Sequence, residues 1–422
     1  MVYPGRFVAL LTLVLALAVS APSIAQEPDQ LPSTADLQTA GTKTTKVRPN
    51  VHSQGQAHAR FGVPDIDSIQ NFSGHYFADG FDNDGNPRRE WFFNTAGNPP
   101  QLGGTTTFNA PIIPVIMQLL DTDGSIRVVG GHQLISDPTP FVQPVLNSPV
   151  FSDATFTSSA TPTQVTDAVQ RSEYFDKAKG DWHTRLAPAV KTARTMKVPR
   201  GKYAFALNAD GTCCRFILVD ANTFVNLLFP ALASDTTTPI GAAENAGDMT
   251  TKDISTLLFP NTFLFIGTTA NCCILGFHSY DLEPGDAGKK MPEKRYVMNY
   301  SSWISPGLFG GGFQDITALS HEVAEIFNDP FVVSDGVRNL TPWWLAPNGN
   351  CQNDLETGDV IEGLPNGVFP MTMNGLTYHP QNEALLQWFE FESPSSALHG
   401  AYSYPNEQVL TSAPVKQLPG CK

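Results

Sequence analysis

The chain has 422 residues, 40 of them acidic against 26 basic, and a formal charge of −14 at neutral pH. So acidic a surface argues against nucleic acid, or an anionic membrane face, as a partner. Its apolar content, 41%, is ordinary for a globular protein, and the length allows one large core or two smaller ones.

The first residues read MVYPGRFVALLTLVLALAVSAPSIAQ. Arg6 and the amino terminus make a weak positive region, and Phe7 to Val19 form an apolar run short for a membrane span. Ser23-Ile24-Ala25 then offers a small-residue cleavage pattern. Residues 1–25 are therefore expected to be a removable signal peptide, giving a secreted chain, extracellular or periplasmic, with no stable membrane insertion afterwards. Residues 26–60 are polar, lack an apolar period and read as a disordered leader or propeptide. Residues 61–422 read as a single domain.

Within it, APIIPVIMQLLDTDGSIRVV predicts a strand, a turn at Asp121–Gly124 and a second strand, with Pro111 and Pro114 placing the first toward a sheet edge. TPTQVTDAVQRSEYFDKA predicts a helix capped by Thr161 or Thr163, with Val165, Ala168, Val169 and Phe175 on one face. YAFAL, CCRFILV, TFLFIG, CCILGFH and KRYVMNY are five short strand-like runs, interrupted by a helix near 222–232. After the glycine stretch GLFGGGF, Ile316, Leu319, Val323, Ile326 and Phe327 recur at helical spacing. They predict a helix over 314–328, stopped where Asp329 precedes a proline. Residues 329–422 are loop-rich, with a short helix near 381–389. Strands, then a helix, then an irregular C-terminal part suggest an α+β domain.

Six cysteines in an exported chain suggest disulfides. They fall as Cys213-Cys214, Cys272-Cys273, Cys351 and Cys421. Neighbours in a strand point to opposite faces, so one or two bridges between the doublets are expected, plus Cys351 to Cys421. The doublets lack the C-x-x-C spacing of a four-cysteine zinc site.

The helix over 314–328 carries His321-Glu322-Val323-Ala324-Glu325, one residue away from the H-E-x-x-H zinc motif. His321 and Glu325 share a helix face, which suits two ligands to one ion. Zinc accepts both imidazole nitrogen and carboxylate oxygen, and Glu322 would then be the general base toward a bound water. The anionic ligand also makes manganese more acceptable. A third ligand is sought in NDLETGDVIEG, where Glu356 and Asp359 are the candidates, and at His278, which ends CCILGFH. Tyr378 and His379 are candidate donors to an oxyanion. The competing reading is a charged helix facing water, with His278 a core histidine and Glu356 and Asp359 ordinary loop residues. FDNDGNP and LDTDG echo calcium loops but lack the first acidic ligand, so Asx-rich turns explain them better.

SHEVAEIFNDP followed by ETGD resembles a pattern in secreted proteins related to the plant phosphate-induced (Exordium-like) proteins and to bacterial zincin-like proteins. LGFHS is similar to a cysteine-glycine-aromatic-histidine stretch upstream in that group. The resemblance implies roles for His321, Glu322, Glu325, Asp359 and Glu356, while Ile361 stands where the group's last segment has cysteine. It also implies a zincin-like mixed β-sheet packed on an active-site helix, with an irregular C-terminal subdomain completing the cleft. The expected function is zinc-dependent hydrolysis of a peptide bond in a peptide or protein substrate. The alternative is a secreted cell-surface or wall-associated binding protein that keeps the scaffold without catalysis.

Overall fold

A computed structural model describes residues 29–31, 37, 50–51, 66–81, 87–310, 312–332, 344–352 and 355–414. The chain is a mixed α+β protein built on two large sheets. The larger sheet runs in the order Arg194–Val198, Thr105–Leu119, Ser255–Pro260, Lys294–Trp303, Gly276–Glu283 and Asn50–Val51. Its centre is parallel, with Thr256 opposite Ile112 on one side and Asn299 on the other. The Gly276–Glu283 strand then joins antiparallel to Lys294–Trp303.

These strands are buried on both faces. Ile112, Leu258 and Val297 enter one apolar cluster, while their neighbours Ile113, Leu257 and Met298 enter another. Burial on both faces explains why such strands read as near-continuous apolar runs rather than alternations. The second sheet, Gln30–Leu31, Tyr203–Leu207, Cys213–Asp220, Thr262–Phe265 and Cys272–Ile274, contributes Phe205, Ile217, Val219 and Leu264 to the second cluster.

On the opposite face lies the motif helix, Thr317–Asn328, packed against Lys294–Trp303 and Gly276–Glu283. Leu319, Val323, Ile326 and Phe327, with Ile316 just before the helix, sit in the first cluster beside Leu258, Tyr280 and Val297. Burying five such side chains contributes on the order of 10 kcal/mol, which offsets the cost of the polar residues that the same helix carries inward. The helix starts three residues later than its apolar spacing suggests, because Asp315 has a left-handed backbone (φ 46°). It stops at Asp329, whose N–H closes the last turn on the Glu325 carbonyl at 2.6 Å.

Several expectations are corrected. The Thr105–Leu119 strand is internal, although it contains Pro111 and Pro114. Pro114 falls at a change of neighbour on one side, where Val190 opposite Ile112 gives way to Arg194 opposite Val115. The predicted second strand shrinks to Val128–Val129, paired with His132–Gln133. The helix predicted over TPTQVTDAVQRSEYFDKA covers only Val165–Glu173, so Phe175 lies beyond it and is exposed. The bridges expected between the cysteine doublets do not form: Cys213 bonds to Cys214, and Cys272 to Cys273. The strand Thr262–Phe265 lies between the two doublet strands, a separation of two ladder spacings, about 9–10 Å. That exceeds the Cα separation a disulfide spans. Cys421 lies outside the described residues, as do residues 1–25 and most of 26–60.

Pieces of the leader region are placed on the sheets, with Gln30–Leu31 parallel to Tyr203–Leu207 and Asn50–Val51 beside Asp281 and Leu282. Asp29 accepts from the buried Arg127 guanidinium at 3.0 Å. Among the described residues no helix is long and apolar enough to cross a membrane.

Candidate metal centre

The polar face of the motif helix forms the floor of a cleft. The start of the Gly276–Glu283 strand makes one wall, and a turn carrying Glu356, Asp359 and Glu362 makes another. His321, Glu322 and Glu325 are all buried, so the helix does not turn its charged face to water. His278 comes from the strand beside the helix and is itself buried. The turn is anchored by Leu355, Val360 and Ile361 in a third apolar cluster. Asn348 donates from its amide to the carbonyls of Asp359 and Glu362, and the Gly358 and Asp359 N–H groups donate to Glu325 Oε1 at 3.2 and 3.3 Å.

Two glycines let these walls close on the floor. A Cβ on Gly358 would lie 2.4 Å from His321 Nδ1, and one on Gly276 would lie 2.6 Å from Glu322 Oε1. Both are shorter than any tolerable contact, so larger residues would push the ligand side chains aside.

Glu325 sits between the two imidazoles. Its Oε2 is 3.3 Å from His278 Nδ1, and its Oε1 is 3.2 Å from His321 Nε2. His278 Nδ1 also faces Glu322 Oε2 at 3.6 Å and Glu356 Oε2 at 3.7 Å. His321 Nε2 faces Asp359 Oδ1 at 3.5 Å and Glu322 Oε1 at 3.9 Å. On its far side, His278 Nε2 is 3.1 Å from the Asp329 carbonyl. A carbonyl only accepts, so Nε2 carries the proton and Nδ1 turns toward the carboxylates. A ligating histidine is commonly held in this way by a partner behind it.

The ionisation of the site follows from this crowding. Burial pulls His278 down, but Glu356, Glu322 and Glu325 outweigh it and hold the imidazole well above its usual range. His321 behaves likewise, with burial opposed by Glu325, Glu322 and Asp359. Burial raises Glu322 despite His321 and His278. Burial also acts on Glu325, but the two imidazoles win and its carboxyl is lowered. Burial and Glu325 push Asp359 up to about 6. Carboxylates packed this closely demand positive charge, which either protonated imidazoles or a cation would supply.

The donor set fits a divalent metal. Ligand atoms of His278, Glu322 and Glu325 lie within 4.8 Å of one another, and so do those of His321, Glu325 and Asp359. Imidazole with carboxylate suits zinc, and the majority of oxygen donors also suits manganese.

Of the residues expected from sequence, the structure therefore brings together His321, Glu322, Glu325, Glu356, Asp359 and His278. Tyr378 and His379 do not join them. The Tyr378 hydroxyl donates to the Pro144 carbonyl at 2.9 Å, and His379 is paired with Asp315 at 2.6 Å in a brace at the start of the helix. Sequence reasoning missed two further residues. Gln381 lines the cleft, donates to the Gly358 carbonyl at 2.6 Å and keeps its Oε1 without a hydrogen-bond partner. Glu383 is buried behind the site, held by Thr357 at 3.1 Å, and burial and Glu325 hold its carboxyl well above the usual range, against the pull of His321. Both fall in the stretch expected to be a short helix near 381–389, but the helix is confined to Leu386–Phe389 and Glu383 lies in the short strand Glu383–Ala384, so neither carried a signal toward the site.

No protein-family model, curated protein or solved structure matches this chain.

Proposed function

We propose that the chain is a secreted metal-dependent hydrolase on a zincin-like scaffold, with a peptide bond as its preferred substrate. The observation that carries this reading is the convergence of two imidazoles and four carboxylates on the buried floor of an open cleft. A structural ion pair needs no such surplus of acids beside solvent-connected space, and a charged helix facing water would leave His321 and Glu325 exposed.

In this reading His321, Glu325 and Asp359 hold the cation, which would supply Lewis acidity and acidify water within the cleft. Glu325 is fixed for that task by the two backbone N–H groups of Gly358 and Asp359. Glu322, whose Oε1 points to the same space as His321 Nε2, accepts the proton from the attacking water and later returns it to the leaving amine. The acidic surface and the resemblance of SHEVAEIFNDP to Exordium-like and zincin-like proteins agree with an extracellular role.

Glu322→Gln tests this reading. Turnover of a peptide library should fall by roughly 10²–10⁴-fold, while the protein stays folded and retains zinc. If the wild type turns over no peptide while zinc is bound, the peptidase reading fails and a binding role on the same scaffold takes its place.

A further inference from the structure

We infer that the cleft holds two divalent cations bridged by the Glu325 carboxylate, rather than a single ion. The inference rests on the reading of this cleft as a metal centre and changes what the centre contains.

The ligand atoms form two groups with one member in common. His278, Glu322 and Glu325 make the first, and His321, Glu325 and Asp359 make the second. The two imidazoles approach opposite oxygens of the same carboxylate, His278 Nδ1 at 3.3 Å from Oε2 and His321 Nε2 at 3.2 Å from Oε1. A carboxylate bound through both oxygens spans two ions about 3.5–4 Å apart, the spacing of two-metal hydrolytic sites. A single tetrahedral zinc holds all its donors at about 2.0–2.2 Å. Yet the two histidines fall into separate groups, and each group is complete without the other's imidazole.

Glu356 strengthens the first group. Its Oε2 is 3.7 Å from His278 Nδ1, giving that ion one nitrogen and three carboxylates in prospect. Glu322 ligates there through Oε2 and keeps Oε1 on the His321 side, so its role as proton acceptor survives. His278 is oriented for the task by the Asp329 carbonyl behind it.

Glu322, Glu325, Glu356 and Asp359 are all buried, so both donor groups are held together away from bulk water. The first group, richer in oxygen, is the harder donor set and suits manganese, while the second accepts zinc equally well.

Manganese alone serves as the probe. The metal-free full chain is titrated with Mn²⁺, and bound metal is counted by equilibrium dialysis while electron paramagnetic resonance is recorded at each step. The inference predicts saturation at two ions per chain, with the spectrum of an isolated ion giving way to that of an exchange-coupled pair. His278→Gln and His321→Gln should each bind one ion with an uncoupled spectrum. The wild-type spectrum needs no variant, so a variant that fails to fold leaves the inference testable. Saturation at one ion, or two ions without coupling, overturns the inference and leaves the single-metal hydrolase reading standing. No bound ion removes both.

Discussion

Two wholly buried helices carry charge in this protein, and they handle it in opposite ways. The helix Val165–Glu173 has every residue buried, including Asp167, Arg171 and Glu173. Asp167 accepts from the Thr163 hydroxyl, the Thr184 N–H and His183, all within 2.7 Å. Arg171 donates to the Ser158 and Trp182 carbonyls, and Glu173 Oε1 accepts from Asn328 and from the Leu386 N–H. Asp167 and Arg171 are thus held by fixed partners, whereas Glu173 keeps its Oε2 without a hydrogen-bond partner and burial favours its neutral form. Along the motif helix, Glu322 meets chiefly imidazole, and Glu325 meets imidazole and two loop N–H groups, around a cleft open to solvent. A buried charge bonded at both oxygens, as Asp167 is, belongs to the architecture, whereas buried charges gathered around free space mark a site that needs something added.

That contrast can be broken most sharply by exchanging the damage. Glu325→Ala should lower metal affinity by well over 100-fold, since it removes the ligand shared by both groups, while the helix still folds on its apolar face. Asp167→Ala should do the reverse. Removing one partner of a buried charged network costs about 3–5 kcal/mol, so its urea midpoint should fall steeply while metal bound per folded chain stays unchanged. Equilibrium unfolding and metal titration on both variants decide the matter.

The pH dependence sharpens the same comparison. Burial pushes the Glu173 carboxyl well above the ordinary carboxylate range, to about 8, against the opposing hydrogen bonds. Its neutral form is thus the one the fold favours. The stability it contributes is complete below the unfolded value and is lost as pH rises toward 8, on the order of 1 kcal/mol per pH unit. Glu173→Gln should remove that slope, so that the gap between variant and wild-type unfolding midpoints changes steadily from pH 5 to pH 8 in the variant's favour. Smaller still, Gly358→Ala should displace the His321 ring that its Cβ would meet and weaken metal binding by roughly 10–100-fold, as changes around a metal ligand commonly do. Its thermal midpoint should shift far less than that of Asp167→Ala.

Much of the fold was legible where a period exists. Ile316, Leu319, Val323, Ile326 and Phe327 announced the motif helix, and the five apolar runs announced strands. Ser255–Pro260 went unread because a short, doubly buried parallel strand has no alternation and here ends in proline. The change of neighbour that accommodates Pro114 is a tertiary fact that no local rule contains. At the site, helical spacing placed His321 and Glu325 on one face, but it could not say that this face turns inward. His278 was a candidate only for its position at a strand end, and its distance to Glu325 depends on sheet register. Gln381, in the cleft lining, and Glu383, behind it, were silent because their stretch read as a short helix and its approach to the site from far along the chain is a tertiary fact. The cysteine doublets were legible as disulfides but not in their pairing, which depended on a strand lying between them.

The most direct test of the central claim is the zinc content of the purified full chain after zinc resupply and exhaustive dialysis, measured beside a Glu325→Ala variant shown to be folded. The account predicts at least one tightly held zinc per wild-type chain and none in the variant. A wild type that emerges with no zinc, or a variant that keeps as much as the wild type, would contradict it.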